Sequence, residues 1–202
     1  MEPRVHAGDL TASSNGHLLA AAAGGDQRSW DVLVDRYADL VWKVARSFRL
    51  GRADAADVSQ ATWLRLVEHL NDIRDADRLG AWLVTTARRE ALALVRRSAR
   101  TVPTGDDWRL DGAEEVAEAP DTALLRAEEG ASVRRAFAGL SSNCQRLLSV
   151  LLATPPPTYA EVADALEMPI GSIGPTRARC LDSLRRRLQV QEGVRDGGEP
   201  DR

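Results

Sequence analysis

The clearest chemical signal lies toward the C-terminus. Thr158-Tyr159-Ala160-Glu161 has the spacing of a capping box, in which the Thr hydroxyl accepts a backbone N–H and the Glu carboxylate reaches back to the cap. Val162, Ala163 and Leu166 give the short helix that follows its apolar face, and Glu167-Met168-Pro169-Ile170-Gly171 reads as a tight break. Ser172 is a candidate cap for a second helix, with Pro175 in its first turn. That helix has an apolar side of Ile173, Cys180, Leu181, Leu184 and Leu188, and it carries Arg177, Arg179, Arg185, Arg186 and Arg187 against the single acid Asp182. Short helix, tight turn and basic helix make the helix-turn-helix arrangement, whose second helix enters the DNA major groove by its N-terminal residues. Arginine suits that contact because its planar fork of donors meets phosphate or a guanine edge two bonds at a time. A helical hairpin with a solvated arginine face is the plainer alternative.

A second basic segment lies upstream. Between Arg74 and Arg100 seven arginines face only Asp75, Asp77 and Glu90, whereas nine acids fall between Gly105 and Glu129 with only Arg109 and Arg126 to offset them. The net charge of −3 over 202 residues therefore conceals two basic stretches with an acidic one between them. That pattern implies two polyanion contacts joined by a strand that avoids a polyanion or imitates one.

Other chemistries lack the residues. Two cysteines, Cys144 and Cys180, cannot build a disulfide framework or a structural zinc site, and His6, His17 and His69 are too scattered to supply a metal centre. Both cysteines read as reduced core thiols on amphipathic helices, with a redox switch as the alternative. There is no glycine-rich phosphate loop, no HExxH helix and no Ser/His/Asp set, so neither catalytic residues, nor a metal, nor a cofactor are expected. No stretch approaches the ~20 apolar residues of a membrane span, and the first residues lack the basic-then-apolar order of a secretory signal. A cytoplasmic protein without membrane insertion is the expectation.

The elements that must position these residues read as helices throughout. Residues 1–16 have no periodicity and read as a disordered end. Trp30, Leu33, Val34, Tyr37, Val41, Val44, Ala45 and Phe48 recur at three- and four-residue steps on a long helix ended by Gly51. Asp54 is a candidate cap for a second helix bearing Val58, Trp63, Leu66, Val67 and Leu70. A third runs from about Arg78 to Ala99 with Leu79, Trp82, Leu83, Ala87, Leu94 and Val95 inward. Pro103, Gly105, Gly112 and Pro120 punctuate an acidic linker over 101–120. Helix resumes from Asp121 to Leu140, Ser141 or Ser142 caps a further helix to Ala153, and Pro155-Pro156-Pro157 stops it. The predicted class is all-α: a three-helix-type N-terminal domain over 17–100 and a helix-turn-helix domain over 121–188, joined by the flexible acidic linker, with a disordered tail over 189–202.

With these motifs in order, the chain resembles a bacterial RNA polymerase sigma factor of the extracytoplasmic-function type, group four of the sigma-70 family. Asp54-Ala55-Ala56-Asp57-Val58-Ser59-Gln60-Ala61-Thr62-Trp63-Leu64-Arg65-Leu66 is similar to the helix that docks on the clamp coiled coil of the polymerase β′ subunit. Ala81-Trp82-Leu83 with Ala87-Arg88-Arg89 and Arg96-Arg97 resembles the family's promoter-melting helix, and Thr158–Ala163 with Pro169–Ile173 resembles its fourth domain.

The resemblance implies roles. Asp57, Gln60 and Arg65 would contact the polymerase. The loop Asn71–Asp77, with Asn71, Asp72, Arg74 and Asp77, would accept a base flipped from the minus-ten element. Arg78, Arg88, Arg89, Arg96 and Arg97 would hold the phosphates around it, with Trp82 either stacking or, as Leu79 and Leu83 share its side, serving the core. Ser172, Gly174, Pro175, Thr176, Arg177 and Arg179 would meet the minus-thirty-five element. Asp106, Asp107 and Trp108 in the linker would enter a basic polymerase channel, or form a solvated tether. Core polymerase (β′ clamp and β flap), promoter DNA and an anti-sigma factor are the implied partners. Where the family commonly has Asn and Asp on the third helix, this chain has Arg89 and Ala93. Where it has Lys-Ser-Arg-Leu at the recognition helix, this chain has Gly174-Pro175-Thr176-Arg177, so the promoter read is expected to be its own. The competing readings are a stand-alone dimeric helix-turn-helix regulator and a protein that occupies a polymerase surface without directing initiation.

Overall fold

The structure is a computed structural model describing residues 10–98 and 130–196, with side chains to Val190. Asp106, Asp107 and Trp108 lie outside the described residues, as do the whole acidic linker over 101–120 and the first nine residues. All regular structure among the described residues is helical, as the sequence predicts.

Helix α1 (Asn15–Ala23) starts at Ser14, whose hydroxyl accepts the His17 N–H. Gly24 and Gly25 then separate it from α2 (Gln27–Arg46), so the N-terminal unit has one helix more than the sequence reading counted. Gly25 has φ +91°, a conformation other residues rarely adopt, and it aims Asp26 into the N-cap of α2. The Asp26 carboxylate accepts from the Ser29 hydroxyl and N–H, and these bonds hold its pKa below the ordinary value. Helix α3 (Arg52–His69) is capped by Gly51, which corrects the expectation for Asp54: that residue lies within the first turn, where its charge favours the helix dipole instead. Short 3-10 turns at Leu70–Asp72 and Ala76–Arg78 lead into α4 (Leu79–Ser98). Trp30 and Trp63 meet edge to face at 6.3 Å and join α2 to α3.

Residues 130–138 form the helical segment α5, followed by α6 (Ser142–Leu151), α7 (Tyr159–Leu166) and α8 (Ile170–Asp196). Ser141 is the cap of α6. Helix α8 already begins at Ile170, so Ser172 is not its cap; its hydroxyl donates to the Pro169 carbonyl at 2.7 Å. Pro175 lies inside the helix rather than in its first turn, where the sequence reading placed it. The helix continues past Leu188 through Asp196, where the sequence reading placed a tail. Val95, read as inward, is exposed on the last turn of α4.

The two helical units share a core. Leu33, Leu40, Val41 and Val44 of α2, and Leu79, Leu83, Val84 and Ala87 of α4, belong to the same buried cluster as Leu147 and Val150 of α6, Val162, Ala165 and Leu166 of α7, and Ile173 of α8. Polar contacts line the seam. Asp39 accepts from Lys43 Nζ (2.8 Å) and from the Thr154 N–H (2.7 Å), Lys43 also donates to the Leu152 carbonyl, and Arg88 pairs with Glu167. At Gly80 a Cβ would stand 2.7 Å from Glu161 Oε1, so the glycine lets the start of α4 lie flush against the cap of α7.

A separate small cluster of Phe137, Leu140, Leu148 and Cys180 fills the outer side of α6 and α8, with Cys144 and Leu184 packed on it. Cys144 and Cys180 are not reduced thiols as expected: their sulfurs are bonded, with the Cα atoms 5.3 Å apart. The pairing needs two helices to cross at residues 36 positions apart in the chain, which spacing alone does not show.

Leu83 is fully buried, whereas Leu64 on α3 is 59% exposed. Leu83→Ala is expected to lower stability by about 2–5 kcal/mol, and Leu64→Ala to change it by less than ~0.5 kcal/mol, both read by urea denaturation. Equal effects would mean that the α4 seam is not packed as described.

Candidate nucleic-acid interface

The 3-10 turns between α3 and α4 fold the chain back so that the end of one helix faces the start of the next. The result is a cleft of about 240 Å³ lined by His69, Asp72, Ile73, Arg74, Asp75, Arg78 and Trp82. Its apolar walls are Ile73 and the half-buried Trp82, whose ring centroid lies 6.4 Å from that of His69. Its rim is ionic: the His69 ring nitrogen Nδ1 lies 2.8 Å from the Asp72 carboxylate, and Arg78 Nε lies 3.1 Å from Asp75. Asp75 also accepts the Asp77 N–H and so fixes the turn that carries Arg78. A planar, partly polar ligand suits such a cleft, with aromatic faces for stacking and both donors and acceptors at the edge.

Of the loop residues predicted for this site, Asp72, Arg74, Arg78 and Trp82 converge on the cleft. Asn71 and Asp77 are exposed beside it without lining it. His69, Ile73 and Asp75 are the cleft residues that sequence reasoning missed. No motif marked them, because the chain reversal at two short turns is what gathers them.

From the cleft a stripe runs along α4. Arg78, Trp82, Arg89 and Arg96 recur at steps of four and seven, hence on one face, and Arg97 flanks them; Arg89, Arg96 and Arg97 are exposed. Between Arg78 and Arg96 the stripe is about 27 Å long at 1.5 Å per residue, the path of several nucleotides. Arg88 is turned away from it, toward Glu167 on the other unit.

The second surface is built by the helix-turn-helix. Thr158 and Glu161 form the predicted capping box: the Glu161 carboxylate accepts the Thr158 N–H at 2.6 Å, and the Thr158 hydroxyl accepts the Glu161 N–H at 3.3 Å. Glu167 ends α7 in the left-handed conformation, φ 55°, and turns the chain into α8. On α8, Ile173 and Cys180 face inward, which leaves Pro175, Arg177 and Arg179 exposed and Ser172, Gly174 and Thr176 half-buried along the outer side. Arg179 Nη2 donates to the Thr176 hydroxyl at 3.1 Å and is thereby held against the helix.

A third surface lies on α3. Asp57 and Gln60 are exposed one turn apart, and Leu64 continues the same face a turn later with Val67, 50% exposed, at its edge. Sequence reasoning placed Val67 inside and passed over Leu64; Leu64 stands off the Val58-Trp63-Leu66 stripe, which was the available signal. Arg65 is held by Glu68 (3.0 Å) and Glu90 of α4 (3.4 Å), and these two carboxylates raise its pKa. No group of His, Cys, Asp and Glu that would hold a metal occurs among the described residues.

Comparison with known proteins agrees with the geometry. Residues 33–101, the span of the cleft and the α4 stripe, match the family model for sigma-70 region 2. The chain is 25% identical over 187 residues to the RNA polymerase sigma-H factor of Pseudomonas aeruginosa, covering 89% of this chain and 96% of that one. It is 26% identical over 186 residues to the ECF RNA polymerase sigma factor BldN of Streptomyces coelicolor, covering 92% and 70%. Among solved structures it shares the fold of CnrH, solved in complex with the cytosolic domain of CnrY, at a TM-score of 0.53 and 22% identity over 88% of this chain and 99% of that one.

Thr158→Ala removes the N-cap of α7 and is expected to lower stability by about 0.5–2 kcal/mol, with Thr158→Ser restoring most of it, as read by chemical denaturation. A loss unrelieved by Ser would mean that the hydroxyl is not the capping group.

Proposed function

We propose that this chain is a sigma factor of the extracytoplasmic-function branch of the sigma-70 family, and that it binds core RNA polymerase and directs promoter-specific initiation at two DNA elements. The single observation that carries the reading is that one chain holds both an aromatic cleft opening onto an arginine stripe and a capped helix-turn-helix. A simple duplex-binding regulator needs only the second. RNA synthesis itself belongs to the polymerase, and the relatives are sigma factors rather than enzymes.

In this proposal the exposed face of α3, with Asp57, Gln60 and Leu64, docks on the clamp coiled coil of the polymerase. Arg65 orients that face through its bonds to α4. The cleft takes a base from the non-template strand of the minus-ten element. Unstacking costs a few kcal/mol, which stacking on Trp82 and hydrogen bonds at the His69, Asp72 and Arg74 rim offset. Arg78, Arg89, Arg96 and Arg97 follow the strand's phosphates, and each releases counterions as it binds. Arg177 and its neighbours on α8 read the minus-thirty-five duplex from the major groove. Asp106, Asp107 and Trp108 are proposed to lie in the polymerase channel. That CnrH was solved with the cytosolic domain of CnrY supports a protein partner of that kind here.

The reading also requires the seam to open. Elements centred about 25 base pairs apart lie roughly 85 Å apart on B-form DNA at ~3.4 Å per pair, whereas a compact chain of this length is roughly 45 Å across. The chain from Ser98 to Gly130 could span about 110 Å at full extension, so it does not limit the separation. The closed arrangement is thus the resting form, and polymerase and promoter hold the units apart.

Core polymerase with this protein should give discrete run-off transcripts, and the protein alone should bind promoter duplex weakly. Tight dimeric binding without polymerase would support the stand-alone regulator instead. Replacing Asp57 and Gln60 together by Ala is expected to weaken polymerase binding at least tenfold with unchanged thermal stability. Trp82→Ala should leave polymerase affinity intact and slow strand opening, read by permanganate reactivity of unpaired thymines. Arg177→Ala should lower binding to the upstream element by about 1–3 kcal/mol and relax the preference at one base pair. Dyes on α4 and α8 should move apart by tens of ångströms when the holoenzyme binds a promoter; an unchanged transfer efficiency would refute the opening.

A further inference from the structure

Cys144 and Cys180 are the only cysteines of the chain. Their bond joins the first turn of α6 to α8 at the residue after Arg179, next to the proposed DNA-reading turns. The two sulfurs differ in access. Cys180 is 0% exposed, whereas Cys144 is half-buried at the N-terminal end of its helix, with its N–H donated to the Ser141 hydroxyl. A small reagent therefore reaches the bond from the Cys144 side.

The surroundings of the bond give it a task. Helix α6 has two apolar faces: Leu147 and Val150 enter the core shared with the N-terminal unit, while Leu148 and Cys144 join the small cluster of Phe137, Leu140, Cys180 and Leu184. Separation of the two units, on which the proposed function depends, strips the first face of its α2 and α4 partners. The C-terminal unit then keeps only the packing of Leu147 and Val150 on Val162, Ala165, Leu166 and Ile173, together with the small cluster. A helical unit of roughly 60 residues is marginal on its own core, and units of that size commonly rely on a covalent staple. In a compartment that keeps thiols reduced, a protein disulfide is characteristically a transient, sensing one.

We propose that Cys144 and Cys180 form a reversible thiol–disulfide site that exchanges with low-molecular-weight thiols and disulfides, and that its oxidised form sustains the detached C-terminal unit and so favours minus-thirty-five engagement. The inference rests on the sigma-factor reading for its consequence, though not for its chemistry. In oxidation the Cys144 thiolate attacks a small disulfide, forming a mixed disulfide and expelling one small thiolate. Cys180 gives its proton to solvent and attacks the Cys144 sulfur; the intramolecular bond forms and the second small thiolate leaves. Each released thiolate takes up a proton. Two electrons pass from the protein to the small disulfide, and reduction by two small thiols retraces the path.

The test uses the full chain equilibrated in buffers of graded oxidised-to-reduced glutathione, with free thiols counted by alkylation and mass measurement. Each sample is then combined with core polymerase on a promoter whose transcription requires its minus-thirty-five element. The expected result is a reversible change between no free thiols and two, with run-off falling at least threefold from the oxidised to the reduced protein while polymerase affinity stays within twofold. The Cys144→Ser/Cys180→Ala double variant, checked for helical content by circular dichroism, should stay at the reduced level in both buffers. A pair that remains bonded in millimolar reduced glutathione, or free in oxidised glutathione, overturns the proposal. So does wild-type run-off equal in both states, a measurement that needs no variant to fold. Failure of both redox forms to bind polymerase would instead refute the sigma-factor reading and leave the thiol titration standing.

Discussion

The apolar seam between α4 and α7 governs the rest of the molecule. Leu83, Val84 and Ala87 on one side, and Val162, Ala165 and Leu166 on the other, are all nearly or fully removed from water. Burial of that kind is worth roughly 1.5–3 kcal/mol for each large side chain, so the seam outweighs the ionic contacts at its edge. The position of α4 is thereby set twice: by α2 and α3 on its inner side and by α7 beyond. What remains exposed on α4 is the arginine stripe, and its direction follows from which faces the two packings consume.

The polar edge of the seam adds register more than energy. Asp39 satisfies both Lys43 and the Thr154 N–H, and Lys43 reaches the Leu152 carbonyl, so the end of α6 is aligned against the C-terminal half of α2. The pair of Arg88 with Glu167 ties the melting-helix candidate to the turn of the helix-turn-helix. These groups are partly exposed, where ion pairs are worth little, and their removal on opening adds small penalties beside the loss of apolar contact. Arg146 is a contrasting case. It lies over the Phe48 ring at 5.7 Å with Arg49 nearby, and burial, with that like charge, lowers its pKa. Its Nε has no hydrogen-bond partner among the described residues, so the gain from covering the Phe48 ring is set against the cost of an unmet donor.

In the proposed function, a molecule held shut by a continuous core has to reach two distant DNA elements, which couples recognition to a conformational change. The cleft beside Trp82 and the outer face of α8 are both accessible in the closed form. What closure limits is their separation. Under that proposal, control acts on the seam, or on how well the C-terminal unit survives without it, rather than on either of the two surfaces.

Local signals in the chain were enough for most of the helices, though not for the break between α1 and α2 or the length of α8, and for the capping box of Thr158 and Glu161 and the helix-turn-helix they initiate, because capping and apolar periodicity act within a few residues. The same locality made the arginines of α4 and α8 visible as charge runs. It also misled: Asp54 and Ser172 are good caps by type, yet Gly51 and the turn at Pro169 begin those helices. The cleft was half legible, since Trp82, Arg74 and Arg78 stood out, whereas His69 and Asp75 acquired meaning only when two 3-10 turns reversed the chain. The shared core, the seam pair of Arg88 with Glu167 and the bond of Cys144 with Cys180 were decided by tertiary structure alone. Each joins residues far apart in the chain, and such partners are selected by how whole helix faces pack, a property no short window of sequence contains.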